Sequence, residues 1–247
     1  MRVALAGAVG KTGREVARGI LAAPDLTLVA ALDHHAVGDD LASPLGLATP
    51  TGVTIGDDLG GTLDRAKPEV FVDFTRPDGV MDNLQAALSR RIACVVGTTG
   101  FTAERLAHVK AWCAEYQTPC LIAANFSVGA VLMMRFAEQA AAHFPDAEII
   151  EMHPPTKKDA PSGTARLTAD RIEQARSGGG AAVPIHSVRL PGLVAHQAVL
   201  FGGPGETLTI RHDTTSREAF VPGVLLAIRM VRSLAGLTIG IDALLSR

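Results

Sequence analysis

Val3-Ala-Leu-Ala-Gly7-Ala-Val-Gly10-Lys-Thr-Gly13 is an apolar run that breaks into three evenly spaced glycines, and apolar residues then recur at Val16, Ala17, Ile20 and Leu21. The run predicts a buried parallel strand over residues 3–7, and the later spacing predicts a helix over 13–23. Glycines at such a joint allow a tight turn, close backbone approach to a pyrophosphate, and close helix–strand packing. The next apolar run, Thr27–Leu32, predicts a second strand that ends in Asp33, 20 residues past Gly13. An acid there is placed to meet the ribose of an adenine dinucleotide. Strand, glycine turn, helix and strand-end acid together predict a dinucleotide-binding fold. Its candidate contacts are Gly7, Val9, Gly10, Lys11, Thr12, Gly13, Asp33 and His34.

From Asp33 to Leu63 the chain is rich in Gly, Asp, Pro and Thr and reads as loop with one short strand at 53–55. Residues 70–74 form an apolar run broken only by Asp73, which predicts a buried strand ending in Thr75-Arg-Pro-Asp. A helix over 80–88, a strand over 92–96, a helix over 102–116 and a strand over 120–124 follow. This alternation predicts a doubly wound parallel sheet, in which ligands lie outside the carboxyl ends of the strands. Three predicted strands end in small polar or glycine-containing turns: Phe74-Thr75, Gly97-Thr98-Thr99, and Asn125-Phe126-Ser127 after Ala124. With the glycine turn, they form a candidate nicotinamide half-site.

The rhythm changes after a long helix over 128–144. Apolar alternation leads into Glu151-Met-His-Pro-Pro-Thr-Lys-Lys-Asp-Ala-Pro-Ser-Gly-Thr-Ala165, and a helical stripe at Ala165, Ala169, Ile172 and Arg176 follows. Residues 177–182 read as a flexible glycine loop. Three strand-like runs over 185–190, 194–201 and 207–212 then arrive without intervening helices, which predicts an antiparallel or mixed sheet and a second, smaller α+β domain. An apolar helix over 221–235 closes the chain and is expected to pack on the first domain. The predicted division is 1–125 with 215–247 for the nucleotide domain, and 126–214 for substrate and assembly. Pieces of one domain flanking the other put the expected active cleft between them.

The 151–165 stretch carries the chemistry. An imidazole (His153), two ammonium groups (Lys157, Lys158) and a Pro-Ser-Gly-Thr turn lie within fifteen residues. The turn offers hydroxyls and backbone N–H groups at a helix N-terminus, where the dipole favours an anion. A proton donor, fixed cations and an anion cradle predict a site for a small carboxylate. The candidates are His153 and Lys157 for catalysis and binding, with Ser162, Gly163 and Thr164 as further substrate contacts.

Composition is that of a globular enzyme, with 47% hydrophobic and 19% charged residues. A net charge of −2 without any Lys/Arg block gives no reason to expect nucleic acid. No uninterrupted apolar stretch reaches the ~20 residues of a membrane span, and Gly7 cuts the first run short of a signal-peptide core. Cys94, Cys113 and Cys120 lack the spacing of a metal site or an even-numbered disulfide set, and no metal is expected. A reducing cytoplasm is the simplest home.

The chain resembles the 4-hydroxy-tetrahydrodipicolinate reductase (dihydrodipicolinate reductase) family over nearly its full length. The resemblance is carried by residues 3–13, Val72-Asp-Phe-Thr-Arg-Pro77, Gly97-Thr-Thr-Gly-Phe101, Ala124-Asn-Phe-Ser-Val-Gly129, Asp159-Ala-Pro-Ser-Gly-Thr-Ala165 and residues 205–220. It implies a homotetramer, an N-terminal Rossmann domain, a C-terminal substrate and assembly domain, and NAD(P)H-dependent reduction of a cyclic dicarboxylate with loss of water. His153 falls on the family's proton donor and Lys157 on its cationic support. The family usually follows that histidine with a second one, where this chain has Pro154, which can neither donate nor titrate. Other readings are a non-catalytic nucleotide sensor of the same fold, or a dehydrogenase of another amino-acid-like substrate.

Cofactor choice is legible at Asp33-His34-His35. The acid favours the ribose hydroxyls of NADH and repels the 2′-phosphate of NADPH. Lys11 is the fixed cation expected to reach that phosphate, so both nucleotides are expected to serve, NADH at least as well. Protonating the histidines should favour NADPH.

Overall fold

The computed structural model describes residues 1–176 and 181–245. Residues 177–180 of the predicted glycine loop lie outside them. The chain forms two compact units: residues 1–126 together with the segment from Phe220 onward, and Ser127–Ala219.

The first unit is a seven-stranded, all-parallel sheet with helices. Its strands are β1 (Arg2–Ala6), β2 (Thr27–Leu32), β3 (Ile55–Gly56), β4 (Val70–Asp73), β5 (Ala93–Val96), β6 (Cys120–Ile122) and, numbered last because it closes the chain, β11 (Leu237–Ile239). Their order is β11-β6-β5-β4-β1-β2-β3. The connections run one way from β1 to β3 and the other way from β4, so the topological switch point, where such sheets bind ligands, lies between β1 and β4. β1 and β4 are continuous apolar runs because both faces of the sheet are covered: Val3, Ala4, Leu5, Phe71 and Val72 are fully buried. Helix α1 (Gly13–Ala22) buries Val16, Ala17 and Ile20. It packs closely on the C-terminal segment at Gly19, where an added Cβ would stand 2.3 Å from Val221 Cγ1.

Between β2 and β4 the structure is more ordered than the predicted loop. Helices α2 (Ala42–Leu45) and α3 (Leu59–Ala66) lie there, and the expected strand at 53–55 is displaced to Ile55–Gly56. The Asp40 carboxylate closes the segment by accepting from the N–H groups of Ala42, Thr51 and Gly52 and from the Thr51 hydroxyl. Asp58 caps α3 by accepting from Gly61 N–H at 3.0 Å. Helices α4 (Val80–Ser89) and α5 (Ala103–Glu115) complete the alternation.

In the second unit, helices α6 (Val128–Ala141) and α7 (Gly163–Ala175) pack with the sheet β7 (Asp146–His153), β8 (Ile185–Arg189), β9 (Ala195–Gly203) and β10 (Glu206–Thr214). The sheet order is β10-β9-β7-β8. It is mixed: α7 crosses over to make β7 and β8 parallel, whereas β9 pairs antiparallel with both β7 and β10. The β7–β8 register sets His153 opposite Arg189 and Glu151 opposite Ser187.

The chain then returns to the first unit. The closing helix is shorter than predicted: α8 (Val221–Met230) gives way to a 3-10 turn at Val231–Ser233 and, past Gly236 in the left-handed region (φ +61°), to β11. Arg229 makes paired hydrogen bonds of 2.8 Å to Asp25. No helix among the described residues is long and apolar enough to cross a membrane.

Candidate active site

The glycine turn follows β1 at the switch point. Gly7 has φ +76°, and a Cβ there would lie 2.4 Å from the Phe74 carbonyl oxygen. A Cβ on Gly13 would lie 1.9 Å from the Gly7 oxygen. Both contacts are with backbone, so neither can be relieved by turning a side chain, and only glycine fits. The N-terminus of α1 begins at Thr12 with no side-chain cap, whereas Asp58, Thr102, Ser127 and Ser162 cap their helices. An uncapped helix start after a glycine turn leaves N–H donors for a phosphate.

Asp33 is drawn into this turn. Its carboxylate accepts from Val9 N–H at 2.9 Å and from His35 N–H at 3.0 Å, with the His35 ring at 3.2 Å. Burial pushes the Asp33 carboxyl up, but these N–H groups outweigh it and hold it below the usual carboxylate range. The acid therefore stays ionised beside the turn. Lys11 and His34 are exposed. A second cation stands here that sequence reading did not place: Arg14 Nε donates to the Val9 carbonyl at 2.8 Å.

The polar turns after β4 and β5 are organised by Asp73, which is fully buried. Its Oδ1 accepts from Thr75 N–H (2.9 Å), Thr75 Oγ1 (2.7 Å) and Thr98 Oγ1 (2.6 Å), and its Oδ2 accepts from Asn83 (2.8 Å). Thr75 and Thr98 thus spend their hydroxyl protons on the protein and keep only acceptor lone pairs for a ligand. The Phe74 ring fills the space over Gly97, where a Cβ would come within 2.1 Å of it, and packs tilted at 52° against Phe126, with centroids 5.8 Å apart. Thr99 and Ala124 are exposed, and Asn125 is half-buried. Glycine turn, open helix start and strand-end acid fit a pyridine dinucleotide.

The second unit holds the imidazole. Residues alternate across a strand, so Ile149, Glu151 and His153 share the face of β7 that meets α7. Glu151 is completely buried and is the hub of the site. Arg189 grips it with two bonds, Nη2 to Oε1 at 2.7 Å and Nη1 to Oε2 at 3.0 Å. Ser162 N–H donates to Oε1 at 3.3 Å, and His153 Nδ1 lies against Oε2 at 2.5 Å. Burial alone would raise the Glu151 carboxyl, but hydrogen bonds from Arg189, Ser187 and His153 hold it below its ordinary value. An ionised carboxylate only accepts, so His153 carries its proton on Nδ1 and leaves Nε2 for another partner. Burial pushes His153 below the usual histidine value, and the nearby charges of Lys157 and Arg189 push the same way, against the pull of Glu151.

The loop from Pro154 to Ser162 closes over this hub. Lys157 Nζ bonds both oxygens of Asp159, at 2.8 and 2.9 Å. Arg189 Nη2 holds the Asp159 carbonyl at 2.8 Å. After the cis bond between Ala160 and Pro161, Ser162 Oγ caps α7 by accepting from Ala165 N–H at 3.2 Å. Gly163 and Thr164 open the helix. A Cβ on Gly163 meets nothing within 4 Å, so the protein itself does not demand glycine there. Sequence reading named His153, Lys157, Ser162, Gly163 and Thr164 here but neither Glu151 nor Arg189. The two-residue spacing puts Glu151 on the His153 side of β7, but its burial shows only in the fold, and Arg189 needed the β7–β8 pairing. Among the described residues, no group of three or more His, Cys, Asp or Glu could hold a metal.

A Rossmann-type unit with an open glycine turn, carried in one chain with a unit that presents a carboxylate-anchored imidazole beside a lysine, has the plan of a pyridine-nucleotide-dependent oxidoreductase. Comparison with known proteins narrows the class. Residues 1–126 match the family pattern described as dihydrodipicolinate reductase, N-terminus, and residues 129–245 match dihydrodipicolinate reductase, C-terminus. The 4-hydroxy-tetrahydrodipicolinate reductase of Moorella thermoacetica is 47% identical over 99% of this chain and 98% of its own. That of Mycolicibacterium gilvum is 49% identical over 99% of each. The dipicolinate-bound dihydrodipicolinate reductase of Paenisporosarcina sp. TG-14 superposes with a TM-score of 0.85 at 40% identity, covering 98% of both chains. The chain belongs to the dihydrodipicolinate reductase family.

Proposed function

We propose that this chain reduces 4-hydroxy-tetrahydrodipicolinate to tetrahydrodipicolinate in lysine and diaminopimelate biosynthesis. The net reaction adds a hydride and a proton, and the 4-hydroxyl departs as water. The observation that carries the reading is the imidazole of His153, anchored on buried Glu151 beside Lys157 and the open start of α7, in a chain of this family.

Gly7, Val9, Gly10, Lys11, Thr12, Gly13 and Asp33 would hold the adenine half of the nucleotide. Phe74, Thr75, Gly97, Thr98, Thr99, Ala124, Asn125 and Phe126 would hold its nicotinamide half. When bound, the reduced nicotinamide supplies the hydride. In the second unit, Lys157 and the N–H groups of Gly163 and Thr164 bind a ring carboxylate and offset charge as it develops. Pro154 offers no donor, so these groups carry that contact without the second histidine usual in the family. His153 is mostly neutral in the free protein, and a dianionic substrate favours its protonation. It then donates from Nε2 as general acid. The dipicolinate held by the Paenisporosarcina relative is a planar dicarboxylate, which supports this substrate class.

Both NADH and NADPH serve in this reading, NADH at least as well, because ionised Asp33 would accept from the ribose hydroxyls and Lys11 and Arg14 are cations near the turn. In this reading the chain assembles as a homotetramer through its second unit. Three buried free thiols suit a reducing cytoplasm. The direct test is oxidation of NADH or NADPH at 340 nm by the purified protein with freshly generated 4-hydroxy-tetrahydrodipicolinate. Substrate-dependent oxidation is expected, and its absence with both nucleotides contradicts the reading.

A further inference from the structure

The mechanism above uses His153 and Lys157 but leaves two buried charges without a task. Arg189 and Glu151 bond bidentately, at 2.7 and 3.0 Å, with the carboxylate fully buried and the guanidinium largely so. Burying such a pair is not by itself stabilising, because desolvation offsets the attraction. This pair nevertheless bonds to three other residues of the strand end and loop. Glu151 accepts from His153 Nδ1 and Ser162 N–H, and Arg189 donates to the carbonyl of Asp159, the residue that holds Lys157.

We propose that Arg189 is a positioning residue that sets the charge and the orientation of His153 through Glu151. The inference rests on the reading of the site as a reductase site. The guanidinium fork occupies one lone pair on each Glu151 oxygen and leaves Oε2 a free direction toward His153. That fixes Nδ1 as the protonated nitrogen and aims Nε2 away from the strand, toward where substrate binds. The charges around the imidazole are Glu151 on its own strand, Arg189 on β8, and Lys157 and Asp159 in the loop. They balance, two positive against two negative, and burial then favours the neutral imidazole until an anion arrives. Without Arg189 the buried Glu151 would have only His153 to neutralise it, and His153 would hold its proton to higher pH and release it less readily. Lysine in place of Arg189 would restore the charge but not the fork.

Three proteins test this: wild type, Arg189→Met and Arg189→Lys. The pH dependence of kcat/KM and the 15N NMR titration of His153 in substrate-free protein are both read. Arg189→Met is expected to lower kcat by ~10²-fold. It should also raise the pH at which His153 titrates by about one unit. Arg189→Lys is expected to reverse most of the titration shift while kcat stays low. Wild-type neutral His153 should carry its proton on Nδ1. A lower kcat with an unmoved titration would mean a structural role only and would overturn the proposal. So would a wild-type neutral imidazole protonated on Nε2, a readout that holds even if Arg189→Met does not fold. If wild type does not turn over the substrate, the reductase reading fails, while the NMR titration still decides the role of Arg189.

Discussion

His153 shows how far one residue can be read from sequence and where its neighbours must be seen. A histidine between an acidic strand end and Lys157 is visible as a candidate acid, whereas Ser162, expected as a substrate contact, is buried and spends its hydroxyl oxygen on capping α7. The partner that fixes its proton, Glu151, lies two residues away, but its importance comes from being completely buried, which no local pattern shows. Arg189 is 36 residues downstream of His153 and meets it only through strand register. The same holds for Asp73, which reads as a blemish in an apolar strand and is the acceptor that orders Thr75 and Thr98. Because His153 is held below its ordinary value, the unfolded chain takes up a proton before the folded one as pH falls through ~6.5. Stability is therefore full above that pH and declines below it, and Glu151, also held low, adds a further loss in more acidic solution. His153→Gln is expected to flatten the first part of the decline in thermal midpoint, and an unchanged slope would contradict the assignment. Gly163→Val places its side chain in space the protein leaves open. It should leave thermal stability nearly unchanged but raise the KM for substrate at least ~10-fold and weaken competitive inhibition by pyridine-2,6-dicarboxylate, since the added methyls obstruct an anion at the helix start. Unchanged KM and inhibition would remove Gly163 from the substrate site.

Among the elements, those with long periodic signals were legible: β1, α1, β2 and the β4-to-α6 alternation all lie where apolar spacing puts them. The misses are short or propped by side chains. Helix α3 contains Gly60 and Gly61, poor helix formers, and buries one leucine, Leu63; it holds because Asp58 caps it. β11 is three residues long, and its pairing with β6 rather than any pattern makes it a strand. Removing the Asp58 cap with Asp58→Ala should cost about 1 kcal/mol in denaturant unfolding. A loss of zero would mean that α3 is held by packing alone. Helix α1 is the element of the first unit proposed to meet the phosphates, and its start tolerates no Cβ at Gly13, 1.9 Å from a backbone oxygen. Gly13→Ala is expected to lower NADH affinity at least ~10-fold by fluorescence titration, because the turn must open to admit the methyl. Wild-type affinity in that variant would mean that the turn does not bind phosphate.

At the scale of the whole molecule, the proposed function divides the labour of the chain between a first unit for the nucleotide and a second for an anion and a proton. The alternation of strand and helix, then strands without crossovers, made that plan legible. The return of the chain to complete the first sheet through β11 was not. Assembly is tested by sedimentation: a homotetramer is expected at about four times the chain mass of 25.7 kDa, and a monomer at micromolar concentration would contradict it. The division of labour itself is tested most directly by His153→Ala, with kcat for NADH-dependent reduction of 4-hydroxy-tetrahydrodipicolinate and the calorimetric Kd for NADH measured on the same preparation. The expected result is a kcat lowered by ~10²–10⁴, with the NADH Kd within about twofold of wild type. A His153→Ala protein with wild-type kcat would contradict the account.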